Sequence, residues 1–194
     1  MRVMAARGQA GAGRGGAGRS VRGRVQRFGD NVDTDAIIPG EFCHLTRLEE
    51  IGAHAFAHVR PEFVSRVRDG RTMVVAGEGW GSGSSREHAV WALLGAGVQA
   101  VIAKSYAFIH KRNLVNEALP YLVVRDEDFH ALVHEDDELE VDLARGEVKH
   151  VASGRVFSAE RPSPIVRALQ REGGLVPAIQ RHGTDVFEAL SAGT

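Results

Sequence analysis

The chain has 194 residues, 43% of them hydrophobic and 25% charged, enough for one globular domain with a sizeable core. Seven of its 24 basic residues and none of its 25 acidic ones fall in residues 1–27, leaving 17 basic against 25 acidic groups, a net −8, in the rest; so acidic a body argues against nucleic-acid binding through a basic face. The lone cysteine, Cys43, rules out an internal disulfide and a self-contained iron–sulfur cluster, and no apolar run approaches the roughly 20 residues of a membrane helix.

Residues 1–20, rich in Gly, Ala and Arg, have almost nothing to bury and are expected to form a disordered tail ahead of a single domain over 21–194. The tail lacks acids, as a transit peptide does, but has little amphipathic pattern. A flexible tail or an over-extended start is the plainer reading, with the protein in the cytoplasm. Val21–Val25 alternates as a strand does. Asp30, Asn31, Asp33 and Asp35 then crowd a segment that ends at Pro39-Gly40. This is an Asx-rich turn rather than a calcium loop, since no glutamate stands at the required spacing, and it can aim Asp35 at a ligand.

The pattern predicts a helix over Leu48–Val59, with His54 and His58 on one face. Ala55 follows His54, so the HExxH metal signature is absent and a packed or surface pair is favoured over zinc. Pro61–Asp69 is a further short helix, turning at Asp69-Gly70 into an apolar strand, Thr72–Ala76.

That strand runs into glycines at alternate positions, Gly77, Gly79, Gly81 and Gly83, followed by Ser84-Ser85-Arg86-Glu87 and a helical segment. Strand, glycine loop and helix start together grip anions, because the backbone can come close and the first helical amides are free. Two hydroxyls and a guanidinium at this place suit a carboxylate. No Lys occurs between Val74 and His88, so a Walker loop is absent, and a serine stands where the third glycine of GxGxxG belongs. Ser84-x-x-Glu87 also has the form of a capping box, the commoner use of such a serine.

Arg86–Ala96 reads as a helix ended by Gly95 and Gly97, and Val98–Ala103 as a strand buried on both faces. A right-handed parallel crossover joins them to the preceding strand. Ser105–Ala118 carries His110, Lys111, Arg112 and Asn113 just past that strand. These either line the pocket of Ser84 or form a solvated helix face. Leu119–Arg125 is another strand and Glu127–Val133 a short helix. Three hairpin strands follow, Glu138–Leu143, Glu147–Val151 and Arg155–Ser158, and then helices over Pro164–Arg171 and Val176–Arg181.

Taken together, the motifs identify a resemblance. Asn31–Pro39 (NVDTDAIIP), Gly83–Ala89 (GSSREHA), Val101–Ala107 (VIAKSYA) with Asn113 and Leu119-Pro120, and Gly173–Val176 (GGLV) occur in the order and spacing of the 3-isopropylmalate dehydratase small-subunit family. The same family supplies homoaconitase small subunits and the swivelling C-terminal domain of aconitase. The resemblance spans about residues 22–182. It implies an α/β fold of the swivelling β/β/α type, a mixed sheet with flanking helices. It implies dehydration and rehydration of a hydroxy di- or tricarboxylic acid, most simply 2-isopropylmalate to 3-isopropylmalate in leucine biosynthesis. The chain would be active only with a large subunit whose [4Fe–4S] cluster acts as Lewis acid; this chain itself would hold no metal. By match to the motifs, Ser84 is the candidate base, Arg86 the bidentate carboxylate ligand, Ser85 and Gly83 substrate contacts and Asp35 an active-site acid.

The loop Gly40–Arg47 (GEFCHLTR) departs from the ARYLRT-like form of many isopropylmalate enzymes. Arg47 would add a carboxylate contact and favour a longer or more acidic substrate, while Phe42 and Leu45 still suit an isopropyl group. Trp80 and Ser82 replace the usual Phe and Cys. The alternatives are a homoaconitase-type or other aconitase-type hydratase subunit and, from a different class, a non-catalytic anion-binding module. A nucleotide enzyme using the glycine loop suffers from the missing Lys.

Overall fold

The computed structural model describes residues 20–192. The segment 1–20 expected to form a tail lies outside them but for Ser20, the first residue of strand β1 (Ser20–Arg27). In chain order there follow helices α1 (Thr34–Ile37), α2 (Leu48–Gly52) and α3 (Phe63–Arg68), strand β2 (Met73–Ala76), helix α4 (His88–Ala96), strand β3 (Ala100–Ala103), helix α5 (Phe108–Asn116), strand β4 (Tyr121–Val123) and helix α6 (Glu127–Leu132). Strands β5 (Glu138–Asp142), β6 (Glu147–His150) and β7 (Val156–Ser158) then precede helices α7 (Pro164–Glu172), α8 (Leu175–His182) and α9 (Val186–Ala192), the last of which the sequence pattern did not announce.

The sheet is mixed, as the fold expectation required. Its order is β4-β3-β2-β1-β5-β6-β7, with β1 to β4 parallel and β5 to β7 antiparallel. Glu160, just past β7, donates its amide to Val123 of β4 at 2.8 Å, so the two edges meet and the sheet curls on itself. Register sets Val25 beside Met73, Val75 beside Ile102 and Ile102 beside Leu122, all in one core that Phe129 of α6 fills. The opposite residues, Val74, Ala76, Val101 and Ala103, belong to a second core under the helices. β2 and β3 are therefore buried on both faces, which is why they read as unbroken apolar runs.

The helix expected over Leu48–Val59 ends at Gly52. Gly52 and Gly95 bring α2 and α4 into backbone contact, since a Cβ on Gly95 would overlap the carbonyl of Leu48 and one on Gly52 would overlap Gly95. Beyond Gly52 the chain bends so that Phe56, at φ 57, can donate its amide to Ile37 at 2.8 Å. Its ring lies fully buried beside Phe28 and Phe63, with centroids 4.6 and 4.5 Å away. Aromatic burial thus overrides helical periodicity, at the expense of a backbone conformation rare for Phe. His54 and His58 consequently share no helix face. His54 stacks on Phe42 at 3.9 Å, and Nε2 of His58 lies 3.0 Å from Glu41.

The α2–α4 contact gives the first prediction. Gly95→Ala must push apart helices whose closest atoms are backbone, and should lower the unfolding free energy by about 2–3 kcal/mol. Urea denaturation measures this; wild-type stability in the variant would contradict the packing.

Candidate functional site

The loops after β1, β2 and β3 emerge at the same edge of the parallel half of the sheet, where α/β proteins place their ligands. The glycine loop lies extended between its two neighbours and is bonded to both. On one side Gly77 N donates to Gly29 O (3.2 Å), Asn31 N to Glu78 O (2.7 Å), Gly81 N to Val32 O (2.8 Å) and Thr34 N to Ser82 O (2.8 Å). On the other, Lys104 N donates to Gly77 O (3.0 Å), Trp80 N to Ser105 O (3.1 Å) and Ala107 N to Trp80 O (2.9 Å). Side chains complete the clamp: the hydroxyl of Ser105 accepts from Gly79 N at 2.9 Å, and the carboxylate of Asp30 from Glu78 N at 2.8 Å. Gly81 (φ 79) lies over the ring of His110, where a Cβ would collide. Gly83 (φ 100) turns the chain past Thr34, whose hydroxyl a Cβ would approach at 3.1 Å. Both positions require glycine.

The turn that follows gathers the residues the sequence nominated. Asp33 caps α1, its carboxylate accepting from Ala36 N at 2.6 Å, and so presents Thr34 and Asp35 toward the glycine loop. The buried Thr34 hydroxyl accepts from Ser84 N at 2.9 Å. The hydroxyl of Ser84 accepts two bonds from Arg86, from its amide at 3.2 Å and from Nε at 2.8 Å. The Arg86 guanidinium spreads further, Nη2 lying 3.2 Å from Asp35 Oδ1 and Nη1 3.4 Å from Cys43 Sγ. Asn113 of α5 donates to the Ser85 carbonyl at 3.1 Å. Thr34, Asp35, Cys43, Arg86 and His88 line a shallow depression. The side chains of Arg86 and Asp35 are 44% and 69% exposed, so the constellation opens outward. At that exposure the ion pair contributes only about 0–1 kcal/mol, and a bound carboxylate could displace it.

Two readings of the sequence change here. Ser84 is not the cap of a helix: α4 starts at His88 with Glu87 as its N-cap, and the Ser84 hydroxyl is turned to Arg86 instead. The capping box does not form because the Thr34 bond holds Ser84 in the extended loop, short of the first helical turn. Lys111 does not line the depression; it lies over the Tyr121 ring at 5.6 Å, whereas Asn113 does reach the Ser84–Arg86 turn. Arg47 lies exposed at the surface, 3.6 Å from Glu50.

Sequence reasoning passed over Thr34, Cys43 and His88 as site residues, although Thr34 and His88 sit inside the quoted motifs. Burial, and then the Arg86 charge, push the His88 imidazole below its usual range, which keeps it neutral beside the guanidinium. Among the described residues no group of three or more His, Cys, Asp or Glu could hold a metal ion. With one thiol in the sequence, the chain does not fit an iron–sulfur cluster of its own.

Residues 21–127 match the family model of the aconitase C-terminal domain. The chain is 42% identical, over 79% of its length and 93% of the relative's, to a 3-isopropylmalate dehydratase small subunit of Methanosarcina acetivorans. A methanogen homoaconitase small subunit of Methanothermobacter thermautotrophicus is likewise 42% identical, over 79% of this chain and 87% of the relative. The crystal structure of a 3-isopropylmalate dehydratase from Methanocaldococcus jannaschii superposes with a TM-score of 0.78 at 34% identity, covering 90% of this chain and 99% of that one.

His110 gives this site's prediction. It is 1% exposed, neither ring nitrogen has a hydrogen-bond partner among the described residues, and burial lowers its pKa to about 4. The folded chain therefore holds His110 neutral, while the unfolded chain takes up a proton near 6.5. Stability is complete above about pH 6.5 and falls by as much as about 3 kcal/mol as the pH drops to about 4. His110→Phe should flatten this decline in urea titrations across the range; an unchanged slope would contradict the burial of a neutral ring.

Proposed function

The chain belongs to the aconitase C-terminal domain family, and from that membership we propose that it is the small subunit of a hydro-lyase of the 3-isopropylmalate dehydratase type. Its substrate in this reading is a hydroxy di- or tricarboxylic acid, isomerised by loss and return of water. The observation that carries the reading is the Ser84–Arg86 turn, where one hydroxyl receives two donors and a guanidinium faces outward.

Isomerisation by way of an unsaturated acid needs a proton removed next to a carboxylate. An ordinary serine is far too weak a base, and donors aimed at its oxygen favour the ionised form. The Arg86 amide and Nε supply two such donors at Ser84. We assign Ser84 Oγ the removal and return of this proton. Arg86 grips the adjacent carboxylate with its fork, exchanging Asp35 and Cys43 for the substrate, which the single ammonium of a lysine could not match. Ser85, exposed beside it, and the backbone at Gly83 complete the grip, while Asp35, released from the guanidinium, is the active-site acid of this reading.

One turn open to solvent does not exclude water. The reading therefore requires a second polypeptide to close the site, the large subunit that the small-subunit names of the relatives imply. In this reading the [4Fe–4S] cluster that the family relationship implies is held by that subunit, where it would act as Lewis acid. Arg47 and Phe42 belong to the loop that meets the substrate's variable end, Arg47 offering a further carboxylate contact. The equal identity to a homoaconitase small subunit supports a second reading, in which the acid is longer and tricarboxylic.

Ser84→Ala should change stability by about 1 kcal/mol or less, because the side chain is only half-buried. With the cognate large subunit reconstituted anaerobically it should lower turnover by at least about a thousandfold, the scale of losing an essential base. Absorbance of the unsaturated acid follows both isopropylmalate and homocitrate, and near-normal kcat in this variant would remove Ser84 from the role of base. Arg86→Lys, read in the same assay, should raise KM by about a hundredfold through loss of the bidentate contact.

A further inference from the structure

We infer that the first turn of α5, with Phe108 at its tip, is the anchor on which the large subunit seats itself; the inference rests on the small-subunit reading. Phe108 is 82% exposed, the most exposed large hydrophobic among the described residues, and Ile109 beside it is 38% exposed. A single exposed ring is by itself an ordinary feature of a protein surface. What distinguishes it from the other exposed apolar groups is its base.

The turn that carries Phe108 is bonded to the site. Ala107, its N-cap, donates to Trp80 O at 2.9 Å, and Trp80 donates back to Ser105 O at 3.1 Å. Trp80 and His110, both buried, fill the space beneath, with the His110 ring against Gly81. One turn further along, Asn113 holds the Ser85 carbonyl at 3.1 Å. The exposed ring and the Ser84–Arg86 turn therefore belong to one rigid body. In this reading a polypeptide that closes over Ser84 and Arg86 also covers the start of α5.

The surroundings define the partner's chemistry. Residues 105–116 contain no acidic side chain, and Lys111 and Arg112 follow the ring on the same helix, Arg112 exposed. The complementary surface is an apolar pocket edged with carboxylates on the large subunit. Rigid aromatic anchors ringed by polar groups are the usual hot spots of such interfaces. Phe187 (58% exposed) and Ile179 (46% exposed) lie on the C-terminal helices α9 and α8, with no hydrogen bond to the glycine loop among those described, and serve as the comparison.

The test uses the full chain and its cognate large subunit, reconstituted anaerobically, with association measured by sedimentation or calorimetry for wild type, Phe108→Ser and Phe187→Ser. Phe108→Ser should keep the wild-type unfolding midpoint and weaken association by about thirtyfold or more, and Phe187→Ser should stay within about threefold. Turnover in Phe108→Ser should return once the large subunit is raised above the new Kd. A wild-type complex whose Kd is unchanged in Phe108→Ser would overturn this inference alone. So would loss of self-association in Phe108→Ser with unchanged affinity for the large subunit, which would assign the ring to a second copy of the chain. Failure of the wild-type chain to bind the large subunit would overturn the small-subunit reading and this inference with it.

Discussion

The backbone bonding of the glycine loop between its two neighbours is the constraint from which the site follows. From Gly77 to Ser84 the loop is fastened both to the segment after β1 and to the segment after β3, and the positive φ of Gly81 and Gly83 lets it pass between them. Without that clamp Ser84 and Arg86 would lie on a free surface loop. With it they are fixed relative to α1, α4 and α5 at once. Such fixing is what lets donors aimed at one oxygen act without reorganisation.

The same clamp explains why the site faces outward. α4 begins only at His88, so Ser84, Ser85 and Arg86 remain in the loop ahead of it rather than being drawn into the first helical turn. Arg86 is held by Ser84, Asp35 and Cys43, and each of these is a partner that a carboxylate can replace. In the proposed reading the arrangement is half of an enclosure. The exposed guanidinium and the exposed phenylalanine on the adjoining helix start are, in that reading, surfaces that the large subunit covers.

Much of this was legible in the sequence, and the reasons for the rest are physical. β2 and β3 read as strands because burial on both faces leaves no polar position, and the hairpin strands because one face is wet. The α2 boundary was not legible. Leu48–Val59 carries helical periodicity, but burial of Phe56 against Phe28 and Phe63 and the Gly52–Gly95 contact depend on residues remote in sequence. Ser84-x-x-Glu87 misled in the same way, since nothing local announces that the Thr34 hydroxyl will hold the Ser84 amide in the loop. The motifs did locate Ser84, Ser85, Arg86 and Asp35 together. The pocket alternative for Lys111 followed from position in the chain alone, and the structure sets it over the Tyr121 ring instead.

The central claim is that the Ser84 hydroxyl moves the proton while a second polypeptide completes the enclosure. Formation of the unsaturated acid from substrate deuterated at the α-carbon tests it most directly, measured with the reconstituted enzyme beside substrate binding by calorimetry. Wild type should form the unsaturated acid with a primary isotope effect, and Ser84→Ala, which should still bind substrate through Arg86, should form none. Formation at the wild-type rate in Ser84→Ala would contradict the assignment.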